Sequence, residues 1–573
     1  MLFGRNKKNP ITIADKKIEK WTYSTCGYCS TGCSIEIGTN KEGTPVSSRG
    51  VGGADVNQGK LCLKGIFEHE LFESAGRGTT PLIRDDIHNP WDESGWDNAT
   101  SKMASEIKRI QKKYGRDAFA IVSTGQILTE GFYTLGKLAR GVIGTNNYDG
   151  NTTLCMASAV SGYKRSFGSD GPPGCYEDFE HTDCLIAWGS NLPEQHPIIY
   201  WRMKEAQEKR NFPLIVIDPR VTMLAQNADM HLTITPGTDV VLQNSLMHVI
   251  LAEGLWLIGT NPMTSMPNTA RIRKTLEKLE CLIVQDSYED VETTEYAHIF
   301  LPAAIWAEKE GCFTNTERRV NIVRKVKEPY ANTKTDLQIF NEVAKHFDQS
   351  KKMTFPYAPA EVFNEMRHLS KGRLVDISGM THDLIEKNRG IQWPYTEEQA
   401  NNGEQPPQGG KRLYTENATF CHPGNKAKLI PLPFVNNNEV PDEQYPFWLN
   451  SGRLVEHFHT RTRTGKIGNN NKFSPTPFME MNPDIAAEMG VTHQSYVRVV
   501  SRRSDAVVMV MLTQRVPRDM VFIPFHFFDC VNRLTLGLLD PHSRQPAFKQ
   551  SAVRIEPINQ EEGAKINKAS RNF

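Results

Sequence analysis

The stretch TCGYCSTGCSIEI (residues 25–37), completed by GKLCLKG (residues 59–65), decides how the rest of the chain is read. Cys26, Cys29, Cys33 and Cys62 stand in the spacing C-x2-C-x3-C-x28-C. Three thiols within eight residues, on a loop softened by Gly27 and Gly32, can converge on one corner of an inorganic centre, and a fourth from a distance completes it. Soft thiolates suit both iron–sulfur clusters and zinc. The uneven x2/x3 triplet is unlike the paired C-x2-C knuckles of zinc ribbons, so spacing favours a cluster and leaves zinc as the alternative. The surrounding residues 20–65 are rich in Cys, Gly and polar turns and cannot build an apolar core, so they need such an organiser.

Outward from this segment the pattern changes. FAIVST (119–124), CLIAWGSN (184–191), PLIVIDPR (213–220), LWLIGTNP (255–262) and CLIVQDS (281–287) are short, nearly continuous apolar runs. Each ends in Ser, Thr, Gly, Asn, Asp, Arg or Pro, and helical stretches separate them. That is the pattern of buried parallel strands in α/β layers. Residues 346–445 are polar and rich in Pro, Asn and Gly, as in NNGEQPPQGGKR (401–412), and read as a long connection with partial helices. After residue 446, FWLNSG (447–452), SYVRVVSRRS (495–504), AVVMVMLTQRV (506–516), MVFIPFHFF (520–528) and SAVRIEPI (551–558) read as strands of a closed or nearly closed barrel. The expected architecture is multidomain α/β: a cluster domain over 20–75, interleaved α/β domains over 76–345, the connection, and a C-terminal β-barrel over 446–560.

Composition narrows the function classes. The chain has 573 residues, 39% hydrophobic and 23% charged, with a formal net charge of +1. It has no polyelectrolyte character that would suit nucleic acid. No apolar run approaches the roughly 18 residues of a membrane span, and MLFGRNKKNPITIADKK has no apolar leader core, so a cytoplasmic protein without a membrane span is expected. Eleven cysteines are too sparse for a disulfide scaffold and point to metal.

With these motifs in view, the N-terminal segment resembles the [4Fe–4S] domain of the molybdopterin oxidoreductases that carry a bis-molybdopterin guanine dinucleotide cofactor. The resemblance implies that the four cysteines hold a [4Fe–4S] cluster. It also implies that Lys64 stands between cluster and pterin. By itself Cys155, beside Met156 in a small apolar run, reads as a buried core residue. Yet CMASAVSGY (155–163), SFGSDGPPGCYEDFEHTDC (166–184) and WGSNLPEQHPI (188–198) are similar to the molybdenum-ligand region of assimilatory and periplasmic nitrate reductases. On that match Cys155 supplies a thiolate to molybdenum (or tungsten), and Met156 lies beside the substrate, which would be nitrate. Formate dehydrogenases of the family place His directly after their Cys or selenocysteine; Met156 cannot move a proton. The resemblance leaves a formate dehydrogenase, or a non-catalytic relay or scaffold subunit, as the alternatives. Electrons would come from a separate ferredoxin or flavoprotein, since no flavin or nicotinamide domain is visible.

A dinucleotide cofactor needs small residues at strand ends and carboxylates for guanine. The strand-end turns offer Asn191; Asp218 and Arg220; Gly237 and Asp239; Gly259 and Asn261; and Gln285 and Asp286. In the barrel, SGRLVEHFHTRTRTGK (451–466), NRLT (532–535) and PAFK (546–549) add Gly452, Arg453, His459, Thr462, Asn532 and Lys549. One departure stands out. The resemblance implies well over a hundred residues between the helix matching VVLQNSLMHVILAEGL and the strand matching WLIGTNP. Here Leu255 runs straight into Trp256: either an internal deletion, which would remove part of the active-site wall, or a segment omitted from this sequence.

Overall fold

The computed structural model describes residues 18–234, 253–407, 410–415, 420–430, 439–540, 543, 545–549 and 551–569. The cysteine-rich segment folds as a three-stranded antiparallel sheet, Lys20–Thr25, Ser34–Thr39 and Pro45–Gly50. Its inward residues Ile35 and Ile37 are fully buried, and they share one small core with Cys26, Cys33, Phe72 and Trp306.

The apolar runs of the middle of the chain form two sheets. The larger has seven strands, ordered Asp92–Glu93, Leu82–Ile83, Ile299–Pro302, Cys281–Asp286, Gly254–Ile258, Phe119–Ser123 and Tyr148–Gly150. Its last five strands are parallel. Their continuous apolar character follows from helices packing on them: Met103, Ile107 and Ile110 of helix Trp96–Tyr114 meet Ile121, Trp256 and Ile283 in one core. The smaller sheet, Met230–Leu232, Leu214–Ile217 and Leu185–Trp188, is also parallel and lies in sequence between strands of the larger one. One of its faces packs Ala187, Leu214 and Val216 on Met203 and Leu224. The other is open, with Ile186 58% and Trp188 59% exposed, and Met230 and Leu232 exposed beside them.

The polar stretch after residue 346 is more than a tether. Helices Pro359–Leu369 and His382–Lys387 and strand Ile391–Gln392 bury Phe363, Ile377, Met380, Ile385, Ile391 and Trp393 against Cys312, Val320 and Ile322. The apolar residues are spread one or two at a time among polar ones, so no periodicity marks them, yet together they make a core. The strand pairs with Arg319–Val323 in a three-stranded sheet. The C-terminal strands close a six-stranded barrel in the order Phe447–Gly452, Met520–Pro524, Phe478–Met481, Asp505–Leu512, Tyr496–Ser501, Ser551–Pro557. Among the described residues, no helix is long and apolar enough to cross a membrane.

Candidate functional site

The four N-terminal thiols converge. Cys26, Cys29 and Cys33 occupy the turn between the first two strands, tied by Cys26 N donating to Cys33 O at 2.9 Å. Cys62 sits at the start of the short helix Leu63–Ile66. Two glycines are sterically required. A Cβ on Gly27 would lie 2.5 Å from the Trp306 ring, and one on Gly32, whose φ is +79°, would lie 2.6 Å from Asn315 Cβ. Burial raises the Cys26, Cys33 and Cys62 thiols, and nearby cysteines raise them further. Burial also opposes ionisation of Cys29, but His196 and Thr31 draw it down to about 6. Such a thiol set calls for a cationic centre. No three of the four sulfurs come within 4.8 Å of one another. A single zinc ion, with Zn–S of about 2.3 Å, would draw thiolates to about 3.8 Å apart, so the wider spacing fits a cluster.

Lys64 is only 2% exposed, and its Nζ donates to Val455 O of the barrel domain at 2.6 Å. Arg463, from the same barrel loop, donates through Nη1 to Gly27 O at 2.9 Å and stacks on Tyr28, 4.5 Å from its ring. Glu68 accepts from Gly27 N at 3.0 Å, and burial pushes its carboxyl up to about 7. The loop after strand Phe447–Gly452 therefore touches the cysteine turn directly. Arg463 and Glu68 were not singled out in the sequence. Arg463 lies inside the quoted basic motif, but nothing in the spacing tells which arginine points inward.

The same loop reaches Cys155. A core cysteine would be buried; Cys155 is exposed, and the next residue, Met156, is 42% exposed. They form the entry to helix Ala157–Phe167. Arg453 Nη2 lies 3.6 Å from Cys155 Sγ, and Gln545 Nε2 donates to Cys155 O at 3.2 Å. Gln545 also accepts from Ser158 N at 3.1 Å, so one barrel side chain braces both sides of the cysteine turn. Lys549 has an exposed residue surface, but its ammonium turns inward onto Ser451 O. There, loss of water and then the neighbouring Arg453 push it down to about 8, while Asp218 and Cys155 pull the other way.

The proposed cradle residues divide into three groups. Some keep a buried polar atom without a protein partner: Asn191 Oδ1, Gln285 Oε1 and Arg220 Nε. Such orphaned atoms are what a polar ligand would satisfy. Gln285 also donates to Asp336, and Arg220 pairs with Glu480 at 2.7 Å, so its charge is already balanced. Others have no orphaned side-chain atom but are shifted by burial or held in constrained backbone. Burial raises Asp218, and pushes Asp286 up to about 6. Gly259 has φ +55°, and a Cβ on Gly452 would lie 2.7 Å from the Phe522 ring. His459, at φ +44°, is driven down to about 3 by burial and then by Arg453. Thr462 bonds Thr460 at 3.0 Å.

A third group is structural in this arrangement. Asn261 gives its amide hydrogens to Glu292 and Thr264 and accepts from Thr293, which uses its donors and leaves one acceptor site on Oδ1. Asn532 donates to Thr264 O at 2.7 Å and accepts from Thr535, joining barrel to α/β body. Gly237 and Asp239 lie outside the described residues.

Comparison with known proteins bears on this arrangement. The profile of the molybdopterin oxidoreductase Fe4S4 domain matches residues 19–74. That of the molybdopterin oxidoreductase domain matches 77–255 and 252–346, and that of the molydopterin dinucleotide binding domain matches 447–552. The chain belongs to the molybdopterin oxidoreductase family. It therefore carries the family's iron–sulfur and molybdopterin dinucleotide cofactors, and the thiol set and the orphaned cradle atoms fit them.

The chain is 29% identical to a nitrate reductase of Synechocystis over 94% of its length and 99% of the relative's. It is 27% identical to the periplasmic nitrate reductase of Desulfovibrio desulfuricans, over 95% of each. It is also 27% identical to the F420-dependent formate dehydrogenase subunit alpha of Methanocaldococcus jannaschii, over 93% of this chain and 99% of the relative. The solved structure of acetylene hydratase from Pelobacter acetylenicus shares the fold, with a TM-score of 0.77 at 15% identity over 94% of this chain and 100% of that one. The first alignment runs over 711 positions, more than this chain's 573 residues, so the relative has residues with no counterpart here. The family profile breaks at 252–255, where Leu255 meets Trp256.

Proposed function

We propose that this chain is the catalytic subunit of a cytoplasmic nitrate reductase, taking two electrons from a separate ferredoxin or flavoprotein and converting nitrate, with two protons, to nitrite and water. The observation that carries the reading is the exposed pair Cys155–Met156 beside the cations Arg453 and Lys549. When bound, the molybdopterin dinucleotide cofactor supplies the metal centre at which an oxygen atom leaves the substrate. Cys155 is placed to offer it a thiolate, and Gln545 holds the cysteine turn in position. Arg453 and Lys549 give this opening a positive field that favours a small oxyanion. Met156 offers no proton-transfer group, which suits oxygen-atom transfer better than removal of a proton and two electrons from formate. Lys64 spans from the cysteine segment to the loop that carries Arg453, one covalent and hydrogen-bonded route between the two sites. Asn191, Asp218, Arg220, Gln285, Asp286, Gly452 and His459 would line the cofactor.

The test is an anaerobic assay of the full chain with reduced viologen. Nitrate-dependent oxidation of the dye, with nitrite formed in equal amount, supports the proposal. Formate-dependent reduction of oxidised viologen without nitrate turnover would move the assignment to a formate dehydrogenase. Full cofactor loading with neither activity would leave a relay or scaffold subunit.

A further inference from the structure

Three side chains from distant parts of the chain, none belonging to either site, bring unlike metal-binding atoms together. Glu130 lies on helix Thr129–Lys137, Cys312 on strand Gly311–Thr314, and His382 starts helix His382–Lys387. One ligand atom from each lies within 4.8 Å of the other two, and among the described residues this is the sole such grouping. Cys312 is fully buried, and the side chains of Glu130 and His382 are 2% and 10% exposed. Glu130 Oε1 is 2.8 Å from His382 Nε2, and Glu130 Oε2 accepts from Cys312 N at 2.9 Å.

The pocket for this carboxylate is built into the backbone. Gly311 has φ +149°, and a Cβ there would lie 2.4 Å from Glu130 Oε2. The ring of Phe363 packs against His382 with centroids 5.0 Å apart, which restrains the imidazole.

We infer that Glu130, Cys312 and His382 bind a structural divalent transition cation, with zinc the best match, which pins the helices of the 359–387 region to the α/β body. A carboxylate, an imidazole and a thiolate are three donor types zinc accepts together, and with three protein ligands the fourth tetrahedral position would fall to a water. Binding releases the Cys312 thiol proton, so that one dication meets a thiolate, a carboxylate and a neutral imidazole whose own proton sits on the ring nitrogen away from the metal. The cation adds no redox step and shares no ligand with the cysteine turn or Cys155.

Elemental analysis of the full-length holoprotein, purified without chelators or metal-affinity steps, tests this. The expected result is about one zinc per chain in addition to the iron, as for a structural site. Zinc should fall to background in Cys312→Ser and in His382→Gln, with iron unchanged and the melting temperature lowered. X-ray absorption at the zinc edge of the unmodified protein should show one sulfur among nitrogen and oxygen neighbours, a readout that does not depend on either variant folding. Absence of zinc and of cobalt, nickel or manganese in the unmodified protein would overturn the inference and leave a hydrogen-bonded triad. So would zinc retained in both variants, or a zinc edge showing four sulfurs.

Discussion

Two cysteine sites in this chain are built in opposite ways. At the N-terminal turn, three thiols lie within eight residues and are joined by Cys62, three of the four are buried, and Gly27 and Gly32 make room for Trp306 and Asn315 to pack against the turn. At Cys155 a single thiol stands exposed at a helix entry, and the groups around it arrive from the barrel, about 300 to 390 residues further along the chain. The first site takes its thiols from one region and is covered by Trp306, Asn315 and Arg463 from elsewhere in the chain. The second leaves Cys155 and Met156 exposed, and elsewhere the smaller parallel sheet leaves Ile186 and Trp188 largely in solvent. A site that holds an inorganic centre permanently can be local and dry. A site that must admit a substrate is assembled between domains and left accessible.

The largest effect should come from the closed site. Cys29→Ser or Cys62→Ser should lower iron from about four per chain to near zero and remove the cluster's absorption and paramagnetic signals, since a missing ligand exposes the cluster. Iron retained in full, or zinc in its place, would break the comparison at its first term.

Next comes the open site. Cys155→Ala should bring nitrate turnover down about a thousandfold or more while iron content stays the same. Because the side chain is exposed, the stability cost should stay within about 0.5 kcal/mol, read as a melting shift of no more than about 2 °C. Retained activity, or a large loss of stability, would return Cys155 to an ordinary packing role.

A smaller effect is expected at Arg453. Arg453→Ala should lower kcat/KM for nitrate about ten- to a hundredfold, or about 1.4 to 2.8 kcal/mol, with the Lys variant recovering part of it. An unchanged kcat/KM would show that this cation serves the fold alone.

The weakest expected effect concerns pH. The Lys549 ammonium sits below the ordinary lysine range, at about 8, because of lost hydration and Arg453. As pH climbs past that value the folded protein loses the positive charge, while the unfolded chain keeps it up to the ordinary value. Folding should therefore become slightly more favourable over that interval, while attraction for an anion weakens. KM for nitrate should rise about threefold between pH 7 and 9 and change less in Lys549→Arg, which stays charged. A flat KM profile in the unmodified protein would remove Lys549 from the anion's surroundings.

The cysteine spacing, the apolar runs and the late β pattern were enough to anticipate a cluster domain, parallel α/β layers and a terminal barrel. Each rests on a local signal: thiols close in sequence, continuous apolar stretches, or short alternating strands. The core made by residues 359–413 had no such signal, because Phe363, Met380, Ile385 and Trp393 are scattered among polar neighbours and meet only after the chain folds back. Asn261 and Asn532 show the converse. Both occupy motifs that suit a cofactor, yet their amides are engaged by Glu292, Thr264 and Thr535.

What the sequence determined by itself was the chemistry on offer: four thiols in cluster spacing, one further cysteine followed by methionine, and a basic barrel loop. What only the tertiary structure decided was which of these groups meet. Arg453, not its basic neighbours, reaches Cys155. Arg463 turns to the cysteine turn, and Lys64 ties that turn to Val455. Glu130, Cys312 and His382 come together from three elements. The reason is physical. Ligand spacing within a short segment is constrained by the backbone and leaves a trace in the residue order. Contacts across hundreds of residues depend on how domains pack, and packing of that kind imposes no period on the chain.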